Sequence, residues 1–249
     1  MTPSISSKIS PCDDQPCRVK VLTEMYTVIK GTELLLEVIQ PNSLSEIHFG
    51  EYDPERKKNA FKTLIATILS ARSKDETTIK VVDGLWNKYS TPEEIAYAPL
   101  ENLEKLVYSS GTYHQKAIRI KETSKIIHEN FHNQVPDTLE ELVKLPGVGR
   151  KVANCVLNIS FNKDVIPVDT HVHRISNRVG WVKTNNPEKT EKGLEKLFPQ
   201  SSWKMINYTL VSFGKKICKP INPLCSECPI NKKCLKLIKI PRKSKKALK

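Results

Sequence analysis

The chain reads as an all-α protein on three observations. Apolar residues recur at helical steps of three and four along nearly the whole sequence. No stretch sustains the two-residue alternation of a half-buried strand, and no segment repeats in tandem. Helix start and stop signals fall between the periodic segments.

The elements follow in order. Phe61, Leu64, Ile65, Ile68 and Leu69 mark one helix face, and Ile79, Val82, Leu85, Trp86 and Tyr89 mark the next, with Asp75 as its expected N-cap. Thr91, Pro92, Glu93 and Glu94 form a helix start, with proline in the first turn and acids at the positive end of the dipole. Ala117, Ile120, Ile127 and Phe131 line a helix after the break at Gly111. Thr138 and Glu141 have capping-box spacing before a short helix that buries Leu139, Leu142 and Val143. Val152, Cys155, Val156 and Ile159 mark another helix, and the last two run from Glu188 to Leu197 and from Trp203 to Ile217.

Composition narrows the function. The 249 residues suffice for one large domain or two smaller ones, and the net charge of +13 favours a polyanionic partner. Residues 1–45 carry a net −1, so the other 204 residues carry +14. No apolar run approaches the roughly 18 residues that span a bilayer. The start of the chain is neither Arg-rich nor built as a secretory signal, so a soluble intracellular protein is expected. The first 20 residues, rich in Ser, Pro and Asp, are expected to be disordered, and the tail IPRKSKKALK is a short basic run.

Leu145, Pro146, Gly147, Val148 and Gly149 separate two helices. Proline ends the first, the glycines open backbone angles closed to other residues, and Val148 packs inward. The N–H groups at the start of the second helix suit a DNA phosphate. An ordinary corner between helices is the plain alternative, but helix–LPGVG–helix in a basic protein signals a helix-hairpin-helix. Lys151 follows in the first turn, where the helix dipole and partial desolvation are expected to depress its pKa and leave a nucleophilic amine. A phosphate-binding lysine is the alternative. Asn154 and Asn158 share its face.

Asp169 sits in a largely apolar loop just after a proline and needs a cationic or donor partner to stay ionised. It also stands where a helix N-cap belongs, and both roles are compatible. His171 and His173 have no third ligand nearby in sequence and read as packing or phosphate contacts.

Cys218, Cys225, Cys228 and Cys234 read C-x6-C-x2-C-x5-C within 17 residues. Four thiolates so spaced close around zinc or a [4Fe–4S] cluster, and the wide first and last gaps favour the cluster. A disulfide reading is weaker in a reducing compartment. Cys12, Cys17 and Cys155 are expected to be ordinary free thiols.

LPGVGRK, then VDTHVHR, then the four cysteines, in this order, resemble endonuclease III of the helix-hairpin-helix DNA glycosylase superfamily, over roughly residues 46–235. The resemblance implies two helical domains flanking a DNA-binding cleft. A six-helix barrel would span 53–163, with its helix-hairpin-helix at 138–160, and an iron–sulfur domain would combine 46–52 with 164–235. An N-terminal extension (1–45) and a basic tail (236–249) flank them. It implies Lys151 and Asp169 as catalytic residues and the four cysteines as ligands of a [4Fe–4S] cluster. DNA contacts are expected from Arg72, Gly147, Val148, Gly149, Arg150, His171 and Lys219. Arg72 stands where bacterial relatives carry glutamine, and it can fill the gap left by a flipped base.

The implied activity is base excision repair by a DNA glycosylase and abasic-site lyase. Oxidised pyrimidines would be removed through a lysine Schiff base and the strand cut by β-elimination. The partner would be double-stranded DNA bearing a damaged base or abasic site. The protein would be a monomer with no membrane partner, in the cytoplasm or nucleoid, or the nucleus of a eukaryote. A mismatch-specific thymine or uracil glycosylase is the nearest rival, and Lys151 argues against it because such relatives often lack this lysine. A non-enzymatic iron–sulfur or zinc DNA-binding module would need neither Lys151 nor Asp169.

Overall fold

The computed structural model describes residue 12, residues 14–29 and residues 59–238. Every regular element among them is a helix, as expected: α1 (Gln15–Ile29), α2 (Ala60–Ser70), α3 (Asp75–Trp86), α4 (Pro92–Tyr97), α5 (Leu100–Val107), α6 (Tyr113–Phe131), α7 (Leu139–Leu142), α8 (Arg150–Phe161), α9 (Thr170–Val179), α10 (Pro187–Leu197) and α11 (Trp203–Lys216), with short 3₁₀ turns at Tyr108–Ser110 and Gln200–Ser202. Residues 46–52 and the tail beyond Ile238, both assigned from the sequence, lie outside the described residues.

Two hydrophobic cores organise these helices. The first gathers apolar residues from Phe61 to Leu157, and the second takes residues from Val21 to Ile29 and from Ile166 to Ile230. Helix α2 is buried almost all round, as a helix central to a core must be. It packs against α8, whose Ala153, Val156 and Leu157 face the same core. Val165 packs against the first core and Ile166 is buried in the second, so the chain crosses between them at that peptide. Lys151 therefore rides on one core and Asp169 on the other.

Local signals explain most element boundaries. Thr91 and Glu94 complete a full capping box at α4. At α7 the box is half made: the Thr138 hydroxyl accepts from the Glu141 N–H at 3.4 Å and donates to the Glu141 carboxylate at 2.6 Å. Asp75, expected as an N-cap, is instead the first residue of α3, with Lys74 at the cap position. Its carboxylate pairs with Lys215 of α11 across the two cores. Gly214 lets α9 and α11 approach closely, since a Cβ there would lie 2.4 Å from His171 Nδ1.

The expectation of disorder fails for residues 15–20, which open α1. The Asp14 carboxylate accepts the Cys17 N–H at 2.7 Å, and Val21, Leu22, Met25 and Ile29 bury a face in the second core. Polar composition there is a helix start, not a solvated coil. Cys12 and Cys17, expected to be free, are joined as a disulfide beside this start.

The two hairpin glycines differ. Gly147 has φ +80°, and a Cβ there would lie 2.9 Å from Arg119 Cδ, whereas Gly149 has φ −88° and open space around it. Only Gly147 requires glycine. We predict that Gly147→Ala lowers stability by about 1–2 kcal/mol through the left-handed backbone. Gly149→Ser, a favoured N-cap, leaves the melting temperature unchanged or raised. Thermal unfolding followed by circular dichroism checks both, and equal losses would contradict the assignment.

Candidate active site and cysteine cluster

The hairpin aims the first turn of α8 into the seam between the cores. Val148 is buried and anchors the turn, while the Thr123 hydroxyl donates to the Pro146 carbonyl at 2.8 Å from α6 behind it. Lys151, in that first turn, lines a cavity of about 320 Å³ with Asp169, Cys155, Asp75, Tyr208 and Lys215. Two residues 18 positions apart in sequence thus share one cavity, as the proposed chemistry requires.

Asp169 is also the N-cap of α9. Its Oδ1 accepts the His171 and Val172 N–H groups, each at 2.8 Å. Both cap bonds fall on one oxygen, so a single half-buried carboxylate both starts a helix and faces the Lys151 cavity.

The electrostatics of Lys151 correct the sequence reading. Its pKa is raised, not depressed: Cys155 is the largest cause, and Asp169 also raises it against the opposing effect of burial. Cys155 lies one turn along α8, within hydrogen-bonding reach of the amine. Its own thiol is pushed up by complete burial. The helix dipole alone is a poor guide because it ignores both neighbours.

The remaining site residues divide. His171 lines the cavity, and burial lowers its pKa, which keeps its imidazole neutral at pH 7. Arg174 donates to its Nδ1 at 3.2 Å. His173 instead meets the Thr190 hydroxyl at 2.7 Å and serves packing. Arg150, expected to contact DNA, is held by buried Glu191 through Nε at 2.9 Å and Nη2 at 2.7 Å. The fork joins α8 to α10, so the Arg150 guanidinium is engaged within the protein. Asn154 donates to the same carboxylate at 3.1 Å, and Asn158 donates to the Val165 carbonyl at the crossing, also at 3.1 Å. Arg72 is exposed in a turn with φ +56°, and Lys219 is exposed in the first cysteine loop.

Cys218, Cys225, Cys228 and Cys234 line one small cavity against the second core. Buried Arg178, which no motif singles out, staples the first loop. It donates to Cys218 Sγ at 3.5 Å and to the carbonyls of Lys219 and Pro220 at 2.6 and 2.7 Å. The Lys236 N–H points at Cys234 Sγ at 3.3 Å. Burial, and then the neighbouring sulfurs, push the Cys228 thiol up to about 11. Metal ligation must displace such protons. Four soft donors with a guanidinium and a backbone N–H directed at their sulfurs fit a soft metal centre. Among the described residues no three or more His, Cys, Asp or Glu side chains close on a single-ion site.

Comparisons with known proteins agree with this architecture. Residues 65–200 match the family of HhH-GPD superfamily base excision DNA repair proteins. The chain is 53% identical over 179 residues to endonuclease III of Thermotoga maritima, covering 72% of this chain and 84% of that one. It is 40% identical over 177 residues to endonuclease III of Bacillus subtilis, covering 71% and 81%. A solved non-covalent endonuclease III–DNA complex superposes with a TM-score of 0.75 at 32% identity, covering 89% of this chain and 95% of that one. A helical base excision repair enzyme is the class these features define. The chain belongs to the endonuclease III family within that superfamily. No helix among the described residues is long and apolar enough to cross a membrane.

The pKa causes yield a prediction with a definite sign. Imine formation needs the free amine, so trapping at an abasic site rises with pH through the Lys151 pKa. Asp169→Asn removes a group that raises this pKa, so the rising limb moves to lower pH. Cys155→Ala removes the largest of these causes and moves the limb the same way. Borohydride trapping across pH reads both. A limb that stays in place in both variants would contradict this account of the Lys151 pKa.

Proposed function

We propose that this protein excises oxidised pyrimidines from duplex DNA and cleaves the strand at the resulting abasic site, with Lys151 as nucleophile and Asp169 as its charge partner. The observation that carries the reading is the shared cavity of Lys151 and Asp169 in the seam of a basic two-core protein. The division into a barrel over 53–163 and a second domain over 164–235 is part of this proposal, supported by the two cores meeting at Val165 and Ile166. The protein would act wherever the cell keeps its chromosomal DNA.

The target base must leave the stack before the chemistry, at a cost of a few kcal/mol that is smaller for a damaged base. The hairpin N–H groups hold a phosphate, and Arg72 fills the vacated gap. His171 and Lys219 add contacts along the backbone. The free Lys151 amine then attacks C1′ of the deoxyribose as the glycosidic bond breaks and the base departs with its electron pair. Asp169 stabilises the positive charge that develops on the sugar and helps carry the proton that the amine must lose. The ring opens to a Lys151 Schiff base. Loss of a C2′ proton expels the 3′ phosphate, and water releases the cut product and regenerates the amine.

The four cysteines would hold a [4Fe–4S] cluster, which would tie the C-terminal loops onto the second core. The wide first and last gaps of the cysteine motif favour this over zinc, and the four sulfurs line one cavity. Protein purified without oxygen should be brown, with iron and sulfide near four per chain, as the cluster formula requires. Stoichiometric zinc in colourless protein would refute the assignment.

Substitution separates the catalytic roles. Lys151→Gln should abolish base release and borohydride trapping while damaged-duplex binding persists. Asp169→Asn should slow single-turnover excision by roughly 10²–10⁴-fold. It should slow cleavage of a preformed abasic site less, because a sugar aldehyde condenses with an amine without glycosidic bond breaking. Trapping by Lys151→Gln at the wild-type rate would place the nucleophile elsewhere.

A further inference from the structure

Lys116 of α6 is only 2% exposed, although lysine is almost never buried without an ionic partner. Its ammonium donates to the Leu69 carbonyl at 2.7 Å, to the Ser73 hydroxyl at 2.8 Å and to the Ser110 carbonyl. All three acceptors are neutral. They take the three donors of the group, and Leu69 O lies at the C-terminal end of α2, where a cation is favoured. Burial still lowers the lysine pKa to about 8. A cation held this way is a poor stabiliser, since an apolar side chain would fill the space without the desolvation cost.

What it does achieve is geometric. Leu69 and Ser73 bracket the turn that carries Arg72, and Ser110 precedes a second turn through Gly111 and Thr112. The Ser73 hydroxyl also donates to the Ser110 carbonyl at 2.6 Å, and a Cβ on Gly111 would lie 4.0 Å from the Arg72 carbonyl. The two turns therefore touch. Arg72 and Thr112 both hold left-handed backbones, with φ of 56° and 50°. Such backbones persist in non-glycine residues only where surroundings enforce them. Arg72 itself is exposed.

We propose that Lys116 is a positioning residue for base extrusion: its buried ammonium ties the Arg72 turn to the Ser110 turn and so fixes where Arg72 meets the duplex. The inference rests on the reading of Arg72 as the residue that fills the gap left by the extruded base.

Lys116→Met keeps the length and removes the three donors. Two single-turnover rates decide the matter. One is base excision from a duplex carrying an oxidised pyrimidine, which requires extrusion. The other is cleavage of an abasic site in single-stranded DNA, which does not, and whose borohydride-trapped fraction counts folded active sites. Lys116→Met should lose at least about tenfold in excision, equivalent to about 1.4 kcal/mol. Single-strand cleavage should stay within about twofold, a change below about 0.5 kcal/mol on the same scale. Arg72→Ala should show the same selective loss, and the double variant should be little worse than either single one. Lys116→Gln, which keeps a polar end, serves if the methionine variant does not accumulate as folded protein, and should show the same selectivity. Equal losses in both rates would make Lys116 merely structural and overturn the proposal. So would unchanged excision, or losses that multiply fully in the double variant. If Arg72→Ala alone excises normally, the reading of Arg72 fails and the proposal falls with it, an outcome distinct from the others.

Discussion

The structure depends on holding two cores in fixed register across a seam. Lys151 belongs to α8 of the first core and Asp169 to the start of α9 in the second, so a shift between cores separates the pair. Arg150 and Glu191 are the principal fastener. The carboxylate is buried, it takes two bonds from the guanidinium and one from Asn154, and it stands on α10 opposite α8. Such a pair contributes little net stability but fails badly when one partner is removed, because the other is left buried and unpaired. Its neighbour in sequence is Lys151, so the fastener sets the proposed nucleophile directly. Asp75 with Lys215 makes a second tie across the same seam.

The second core has to be rigid for this register to mean anything. Its helices are short, and the chain after α11 has no regular element among the described residues. Arg178 holds the first cysteine loop by two carbonyls, while Leu235 and Leu237 donate their N–H groups to Val179 and Arg178 at 3.2 and 3.0 Å. Helix α1 closes the far side. Glu24 pairs with Lys233 at 2.5 Å, and the Tyr26 ring lies tilted with its centroid 6.0 Å from that of Tyr208, a cavity-lining residue. The N-terminal segment thus reaches the lining of the Lys151 cavity through an aromatic contact.

Much of this is legible in the sequence, for physical reasons. Helices α2, α3, α4 and α6 to α11 declare themselves through apolar period and capping residues, which are local. The hairpin and the Asp169 cap are local too, so the residue pattern alone picks out both proposed catalytic residues. What escapes is non-local or compositional. Nothing near Arg150 in sequence announces Glu191, and nothing near Lys116 announces the two turns it joins. Helix α1 is masked by Ser, Pro and Asp around a true helix start, and α5 has Pro99 at its N-cap position and no side-chain cap to announce it. The pKa of Lys151 is misjudged from sequence because the helix dipole and burial both argue for a lowered value, whereas Asp169 enters only through the fold. Cys155, four residues from Lys151, is visible in sequence, but its place in the apolar stripe hides its reach to the amine.

The central claim is that one amine, on the first turn of α8, bonds to the sugar. Mapping the covalent adduct tests it most directly. An abasic-site duplex is incubated with wild-type protein and reduced with borohydride, and the conjugate is digested and sequenced by mass spectrometry. The account predicts that the reduced sugar fragment sits on Lys151 and on no other residue. A fragment on Lys215, which shares the cavity, or on the N-terminal amine would contradict it.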